Sequence, residues 1–243
     1  METITENEVR IGRFTSSKIA ALMSVAKDKV SFGKPALTYI EEKNFERKLG
    51  RSLTSEITAR ATSWGKLLEK RVLEELLGID YRPCSAESIM HHVYGDIWAG
   101  SPDAQKYDEG GTIVDIKSPY TLKSFCQFAE CETIEDVREN HPDGEDYYWQ
   151  LVSNAIITNS KYAELIVYCP YQSELQSIRD LAANIDGEQK NYYWIFTAND
   201  NELPYLKDNG FYKNVITFRF EVSENDKNLL TEKVLAASAL LKK

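Results

Sequence analysis

The sequence predicts an α/β protein of the α+β kind, with a mixed central β-sheet flanked by helices. Three observations predict it. Residues 112–117, Thr-Ile-Val-Asp-Ile-Lys, are apolar on both faces of a strand, as in strands that lie at the centre of a covered sheet. Helix-period segments and strand-like runs alternate without a repeat along the chain. At 243 residues, with 42% apolar and 11% aromatic side chains, the chain can bury a core large enough to cover such a sheet. The expected organisation is one domain over residues 1–243, with an elaboration at about residues 172–213.

The elements follow in order. Phe14-Thr15-Ser16 reads as a helix entry, with Ile19, Ala20, Leu22 and Met23 as the apolar stripe behind it. A second helix spans 35–49, with Pro35 in its first turn and Gly50 as its stop. A third runs from 54 to 77 and closes at Gly78. Strand-like runs at 88–93 and 96–99 lead to a turn at Asp108-Glu109-Gly110-Gly111 and the strand 112–117. Helices fit 120–130 and 146–158, and a strand fits 163–169. Residues 170–213 carry turn signals but no clear period. A strand at 215–222 and a helix at 224–241 end the chain.

Composition narrows the class. No stretch of about 18 apolar residues is present, and the first ten residues, METITENEVR, are polar, so neither a membrane span nor an export signal is expected. A cytoplasmic location follows as the expectation. Cys84, Cys126, Cys131 and Cys169 form no C-x-x-C pair and are expected to be reduced, packed thiols rather than metal ligands. The net charge of −9 is uneven: residues 1–71 carry 14 basic and 9 acidic side chains, the remainder 15 and 29. The basic first third can attract phosphates locally, because screening confines fields to about 8 Å at physiological salt. The acidic run 130–146 reads as a solvated loop. Trp64, Trp98, Trp149 and Trp194 read as core or interface residues. His91 and His92, adjacent on a strand, are expected to face opposite sides, one packed and one solvated.

The chemistry concentrates in "GSPDAQKYDEGGTIVDIKSP", residues 100–119. Asp115 and Lys117 share one side of their strand, about 6.6 Å apart along it. A carboxylate and an ammonium inside an apolar strand need partners. Asp103 follows Gly-Ser-Pro at a strand end, and the turn between it and Asp115 lets a hairpin bring the two together. On the third helix, Glu69 sits among Gly65, Val72, Leu73 and Leu76, in the middle of an apolar arc. Taken alone it reads as a helix-end residue beside a charged neighbour. With the two aspartates and the Ile116 carbonyl it makes an oxygen donor set for Mg²⁺ or Mn²⁺. Lys117 could then position a water or stabilise charge on a phosphate, which suits metal-assisted phosphodiester hydrolysis.

Ser-Pro-Asp103, Asp115-Ile116-Lys117 and Glu69 on the preceding helix resemble the signature of the PD-(D/E)xK nuclease superfamily. Gln150, in "YYWQLVSNAIIT", is similar to the family's Q-x-x-x-[YW] element, though Asn154 stands where an aromatic is common. "RIGRFTSSK", "SWGKLLE", "GSPDA", "IVDIKSP" and "VYCPY", in this order over about residues 10–171, resemble the phage lambda exonuclease and YqaJ-type viral recombinase nucleases. The closing "FRFEVSEND" is similar to that family's ending.

The resemblance implies a restriction-endonuclease-like core and Mg²⁺-dependent 5′→3′ digestion of double-stranded DNA ends to mononucleotides. It implies a trimeric homo-oligomer and a single-strand annealing protein as partner. Carried over by residue, it implies that Glu69, Asp103, Asp115 and Ile116 bind the metal, that Lys117 is catalytic, and that Gln150 helps hold the site. Arg10 and Ser17 would hold a 5′-phosphate; for Ser16 and Ser17 the alternative is simple helix capping. Asp115 stands where the nearest relatives carry Glu. The competing readings are another superfamily nuclease, an endonuclease or RecB-like module, and a catalytically silent DNA-binding subunit.

Overall fold

The structure, a computed structural model, describes residues 9–53, 59–84, 88–185 and 189–242. Among these, five strands form a mixed sheet in the order β2-β5-β6-β7-β8: Tyr81–Pro83, Ala104–Lys106, Thr112–Lys117, Tyr162–Tyr168 and Val215–Glu221. The predicted central strand β6 lies in its middle, antiparallel to β5 and parallel to β7. A second sheet, β1-β4-β3, joins Phe14–Thr15, Trp98–Gly100 and Ile89–Met90.

Both faces of the large sheet are covered, which is why β6 is apolar on both sides. Ile113 on β6, with Ala163, Leu165 and Val167 on β7, points into one core. That core is filled by Leu151, Val152 and Ala155 of the helix Gly144–Thr158 and by Leu230 and Val234 of Glu224–Ser238. Val114, Ile116, Ile166 and Tyr168 point into the other core, against Trp64, Leu67 and Leu68 of the helix Arg60–Arg71. In chain order the helices are α1 Lys34–Leu49, α2 Arg60–Arg71, α3 Leu122–Ala129, α4 Ile134–Asn140, α5 Gly144–Thr158, α6 Leu175–Ala183, α7 Gln189–Thr197 and α8 Glu224–Ser238.

The expected termini hold at several elements. Gly50 ends α1 in the left-handed region, with its N–H on the Glu46 carbonyl, and Ser223 caps α8 by accepting from Asp226 N. The β5–β6 turn uses Gly110 and Gly111 at φ 88° and 69°, values that a side chain would strain.

Five expectations are corrected. The first predicted helix begins as a short strand, Phe14–Thr15, paired in parallel with β4, and continues as a 3₁₀ helix, Ser16–Met23. The third helix is α from Arg60 to Arg71 and widens into a π-turn at Val72–Leu76; its predicted start at 54–58 lies outside the described residues. The acidic run is not a loop. Thr133 and Asp136 form a reciprocal capping box for α4, whose Ile134 and Val137 are buried, so the charges lie on the outer face of an amphipathic turn. His91 and His92 do not face opposite sides: β3 ends at Met90, and in the turn that follows the two rings stack 4.7 Å apart. One is nevertheless packed and the other exposed, as expected. Residues 175–197, without a legible period, are two helices whose Ile178 and Ile195 are fully buried beside α2.

Candidate active site

The local fold explains why a carboxylate and a lysine sit on a central strand. β5 begins only at Ala104, opposite Val114, so beyond Val114 β6 runs on without a paired strand on that side. Asp103 N donates to the Val114 carbonyl at 3.0 Å, and Asp103 Oδ2 accepts from the next inward amide, Ile116 N, at 2.6 Å. A side chain thus replaces the missing strand partner, as buried amides require. This leaves a notch at the sheet end, with the Ile116 peptide at its rim.

Asp115, 1% exposed, faces α5. Its Oδ1 accepts from Gln150 Nε2 at 2.7 Å. Its Oδ2 has no partner in hydrogen-bond geometry but meets the Lys117 ammonium as an ion pair at 2.6 Å. Strand alternation had placed Asp115 and Lys117 on one side, and packing brings them into contact. The Lys117 side chain keeps about 25% of its surface exposed, and its ammonium lies 5.4 Å from the centre of the Tyr147 ring.

The electrostatics follow from crowding. Burial pushes the Asp103 carboxyl well above the usual range, and the charges of Asp115 and Glu69 push it further. Burial works to lower the Lys117 pKa, but the Asp115 and Asp103 carboxylates outweigh it and the net shift is upward. Lys117 is therefore a fixed ammonium, suited to donate hydrogen bonds and not to accept a proton. A cation beside Asp103 would offset the charges of Asp115 and Glu69 that bear on it, and hard carboxylate oxygens of this kind suit Mg²⁺ or Mn²⁺. Among the described residues, no three His, Cys, Asp or Glu side chains are grouped closely enough to hold a metal as they stand, and the Lys117 ammonium is paired with Asp115 Oδ2.

A cleft of about 610 Å³ opens on this notch, lined by Glu69, Asp103 and Gln150 and by Arg10 and Ser17. Five residues from four separate parts of the sequence thus share one wall. Arg10 Nη2 donates to Ser17 Oγ at 3.0 Å. The capping alternative falls, because Thr15 holds the N-cap position without a side-chain bond and Ser16 Oγ is spent on Ser153 Oγ at 2.8 Å. Gly100 lines the cleft where a Cβ would collide with Ser16 Oγ and Asn154 Oδ1.

Three lining or neighbouring residues escaped the sequence reading. Lys66 on α2 and Tyr147 on α5 each lie three residues before a singled-out side chain, Glu69 and Gln150, so helix spacing could have found them. Tyr192, also in the cleft wall, comes from α7, where no sequence signal pointed. Trp64, Trp98 and Trp149 are buried, and Trp194 is partly buried with its Nε1 on Ser63 Oγ at 2.9 Å, so all four pack. The four cysteines are free thiols.

A mixed sheet whose central strand presents an aspartate–lysine pair at its open end is the arrangement that the resemblance to PD-(D/E)xK nucleases implied. Residues 7–161 match the family model of the YqaJ-like viral recombinase domain, well over half of the chain, and the chain belongs to that family. It is a deoxyribonuclease.

Its fold is that of phage-type exonucleases. LHK-Exo, an alkaline exonuclease from Laribacter hongkongensis, is 18% identical at a TM-score of 0.57 in its complex with dAMP, over 97% of this chain and 91% of that one. A phage-related exonuclease from Haemophilus somnus 129PT is 14% identical at a TM-score of 0.60, over 94% and 93%. No curated protein matches the sequence. Among the described residues, no helix is long and apolar enough to cross a membrane.

Proposed function

We propose that the chain is a Mg²⁺-dependent exonuclease that degrades double-stranded DNA from 5′ ends to mononucleotides, in recombination by single-strand annealing. The observation that carries this is one cleft lined both by Arg10 and Ser17 and by two of the acids, Glu69 and Asp103. An enzyme acting on internal bonds has no need of an anion clamp in the cleft that holds its acids. LHK-Exo, of the same fold, binds dAMP, a mononucleotide of the kind such digestion releases.

Glu69, Asp103, Asp115 and the Ile116 carbonyl would hold the cation. A bound Mg²⁺ supplies charge against the phosphate and acidifies water. Gln150 fixes Asp115 through Oδ1 and so keeps Oδ2 turned to the reaction. Lys117 donates to the attacking water and to the phosphate oxygens as they gain charge. Arg10 and Ser17 clamp the terminal 5′-phosphate, with the guanidinium giving a bidentate contact. The bond broken is from phosphorus to the 3′-oxygen of the terminal nucleotide. Each cut therefore leaves a new 5′-phosphate for the same clamp. The expected assembly is a trimer, and the expected partner is a single-strand annealing protein.

The test is digestion of linear duplex labelled at either end, carrying a 5′-phosphate or a 5′-hydroxyl, with Mg²⁺ or EDTA and a closed circle as control. Mg²⁺-dependent mononucleotide release from phosphorylated 5′ ends, with the circle intact, is expected. Nicking of the circle moves the activity to an endonuclease, and no cleavage with Mg²⁺ or Mn²⁺ by folded protein leaves a silent DNA-binding subunit.

A further inference from the structure

Behind Arg10 and Ser17 lies a smaller cavity of about 190 Å³. It shares Arg10, Thr15 and Ser17 with the cleft and ends against Lys18, Lys43, Glu46 and Ser52. Lys43, on α1, is 7% exposed. Its ammonium is tied to Glu46 Oε2 at 2.8 Å, and the same oxygen accepts from Gly12 N at 2.9 Å.

Neither the acid cluster nor the Arg10–Ser17 pair accounts for a buried lysine here. A buried ion pair adds little stability over an apolar pair of the same shape. Among the described residues that line the cavity the charges are Arg10, Lys18 and Lys43 against Glu46; Lys18 is also paired outward with Glu42 at 3.6 Å. Burial lowers the Lys43 pKa, Glu46 resists, and Lys18 and Arg10 lower it further by repulsion. An anion placed among the three relieves that repulsion.

The same helix fixes where Arg10 points. Gly12 adopts φ 66°, and a Cβ there would meet Arg47 Cγ at 2.5 Å. Glu46 takes the Gly12 N–H and Arg47 Nε donates to the Gly12 carbonyl at 2.9 Å. Both polar groups of one glycine are thus clamped by successive residues of α1, two positions after Arg10.

We infer that Lys43 is a third phosphate-binding residue, its ammonium facing the terminal phosphomonoester of a DNA strand from the side opposite the acids, and that Glu46 positions it. This rests on the proposed role of Arg10 and Ser17. A terminal phosphomonoester carries up to two charges and an internal diester one, so an added buried cation favours a strand end over an interior bond. Lys43 acts as a point charge where Arg10 acts as a fork.

The test compares wild type, R10A and the double variant K43M/E46Q. The double variant removes both buried charges together and keeps an acceptor for Gly12 N, so no lone charge is left in the interior. Unfolding temperatures verify that each variant is folded. The first readout is the ratio of digestion rates on 5′-phosphate and 5′-hydroxyl ends. The second is calorimetric binding of dAMP against deoxyadenosine without turnover. Losing one charge-assisted contact should lower both discriminations about tenfold in K43M/E46Q, and the single variant K43R, which keeps a cation beside Glu46, should retain part of them. If R10A loses the discrimination and folded K43M/E46Q keeps it, the Lys43 assignment is wrong and the clamp stands. If wild type shows no discrimination, both are wrong.

Discussion

Lys117 and Asp115 set the residue scale, because each is explicable only through the other. Lys117→Ala should lower cleavage by about 10²- to 10³-fold, the range for removing one donor that stabilises developing charge. Cleavage at the wild-type rate by that variant would remove Lys117 from the mechanism. The substitution also leaves Asp115, 1% exposed, with Gln150 alone. Stranding a buried charge costs up to about 3–5 kcal/mol, and less here because the lysine is a quarter exposed. Mg²⁺ should then raise the melting temperature of Lys117→Ala more than that of wild type, since binding to the folded state stabilises it by mass action.

The histidines give a second prediction at this scale. His91 and His141 are 6% and 5% exposed. Burial holds both imidazoles below the ordinary 6.5, with His92 adding to the effect on His91 and Asp143 opposing it on His141. The unfolded chain therefore binds protons that the folded chain refuses. Their contribution to stability is complete above about pH 6.5 and is lost as pH falls through the lower folded values. His91 Nδ1 accepts from Val93 N and Tyr94 N, a pattern that an asparagine oxygen reproduces. His91→Asn should flatten the fall of melting temperature on acidification, and an unchanged slope would show that His91 does not contribute.

At the scale of elements, α6 and α7 buttress the helix that carries Glu69. Ile178 and Ile195 are fully buried, and Trp194 Nε1 reaches Ser63 Oγ on α2 at 2.9 Å. Ile178→Ala should cost about 2–5 kcal/mol in chemical denaturation, as for other buried truncations. It should also reduce cleavage in the folded variant, through α2 and Tyr192. A full loss of stability with wild-type activity below the transition would mean that these helices only add bulk.

These two helices also mark how far the sequence was legible. α1, with Pro35 at its start and Gly50 at its end, could be read because its boundaries are made by local chemistry. α6 and α7 could not, because their apolar residues meet a long-range partner, α2, and their own period is blurred by exposed aromatics such as Tyr193 and Phe196. The 3₁₀ form of Ser16–Met23 was equally hidden, since it follows from pairing Phe14 with Trp98 on β4.

For the whole molecule the question is assembly. On the proposed function a chain of 27.8 kDa with net charge −9 has to hold duplex DNA, and the proposed trimer would gather three basic first thirds around one axis. Sedimentation at low micromolar concentration should give three times the chain mass. A monomer at every concentration, with DNA digestion intact, would discard the ring. Digestion should weaken steeply with added salt, as for any protein that displaces counterions from phosphates.

The sequence by itself determined the central strand, its paired charges, the hairpin that returns Asp103 to Asp115, and the helical glutamate. Each rests on short-range periodicity or turn chemistry, which a linear string carries in full. Only the tertiary structure decided that β5 begins only at Ala104, so that Asp103 stands in for a strand partner at Ile116. It alone joined Arg10 and Ser17 to Glu69 and Asp103 in one cleft, and seated Lys43 behind them. Asp103 and Ile116 are 13 residues apart, and Arg10 and Ser17 are 26 or more from Lys43, Glu69 and Asp103, separations at which chain periodicity holds no information and packing of the two cores sets the distances.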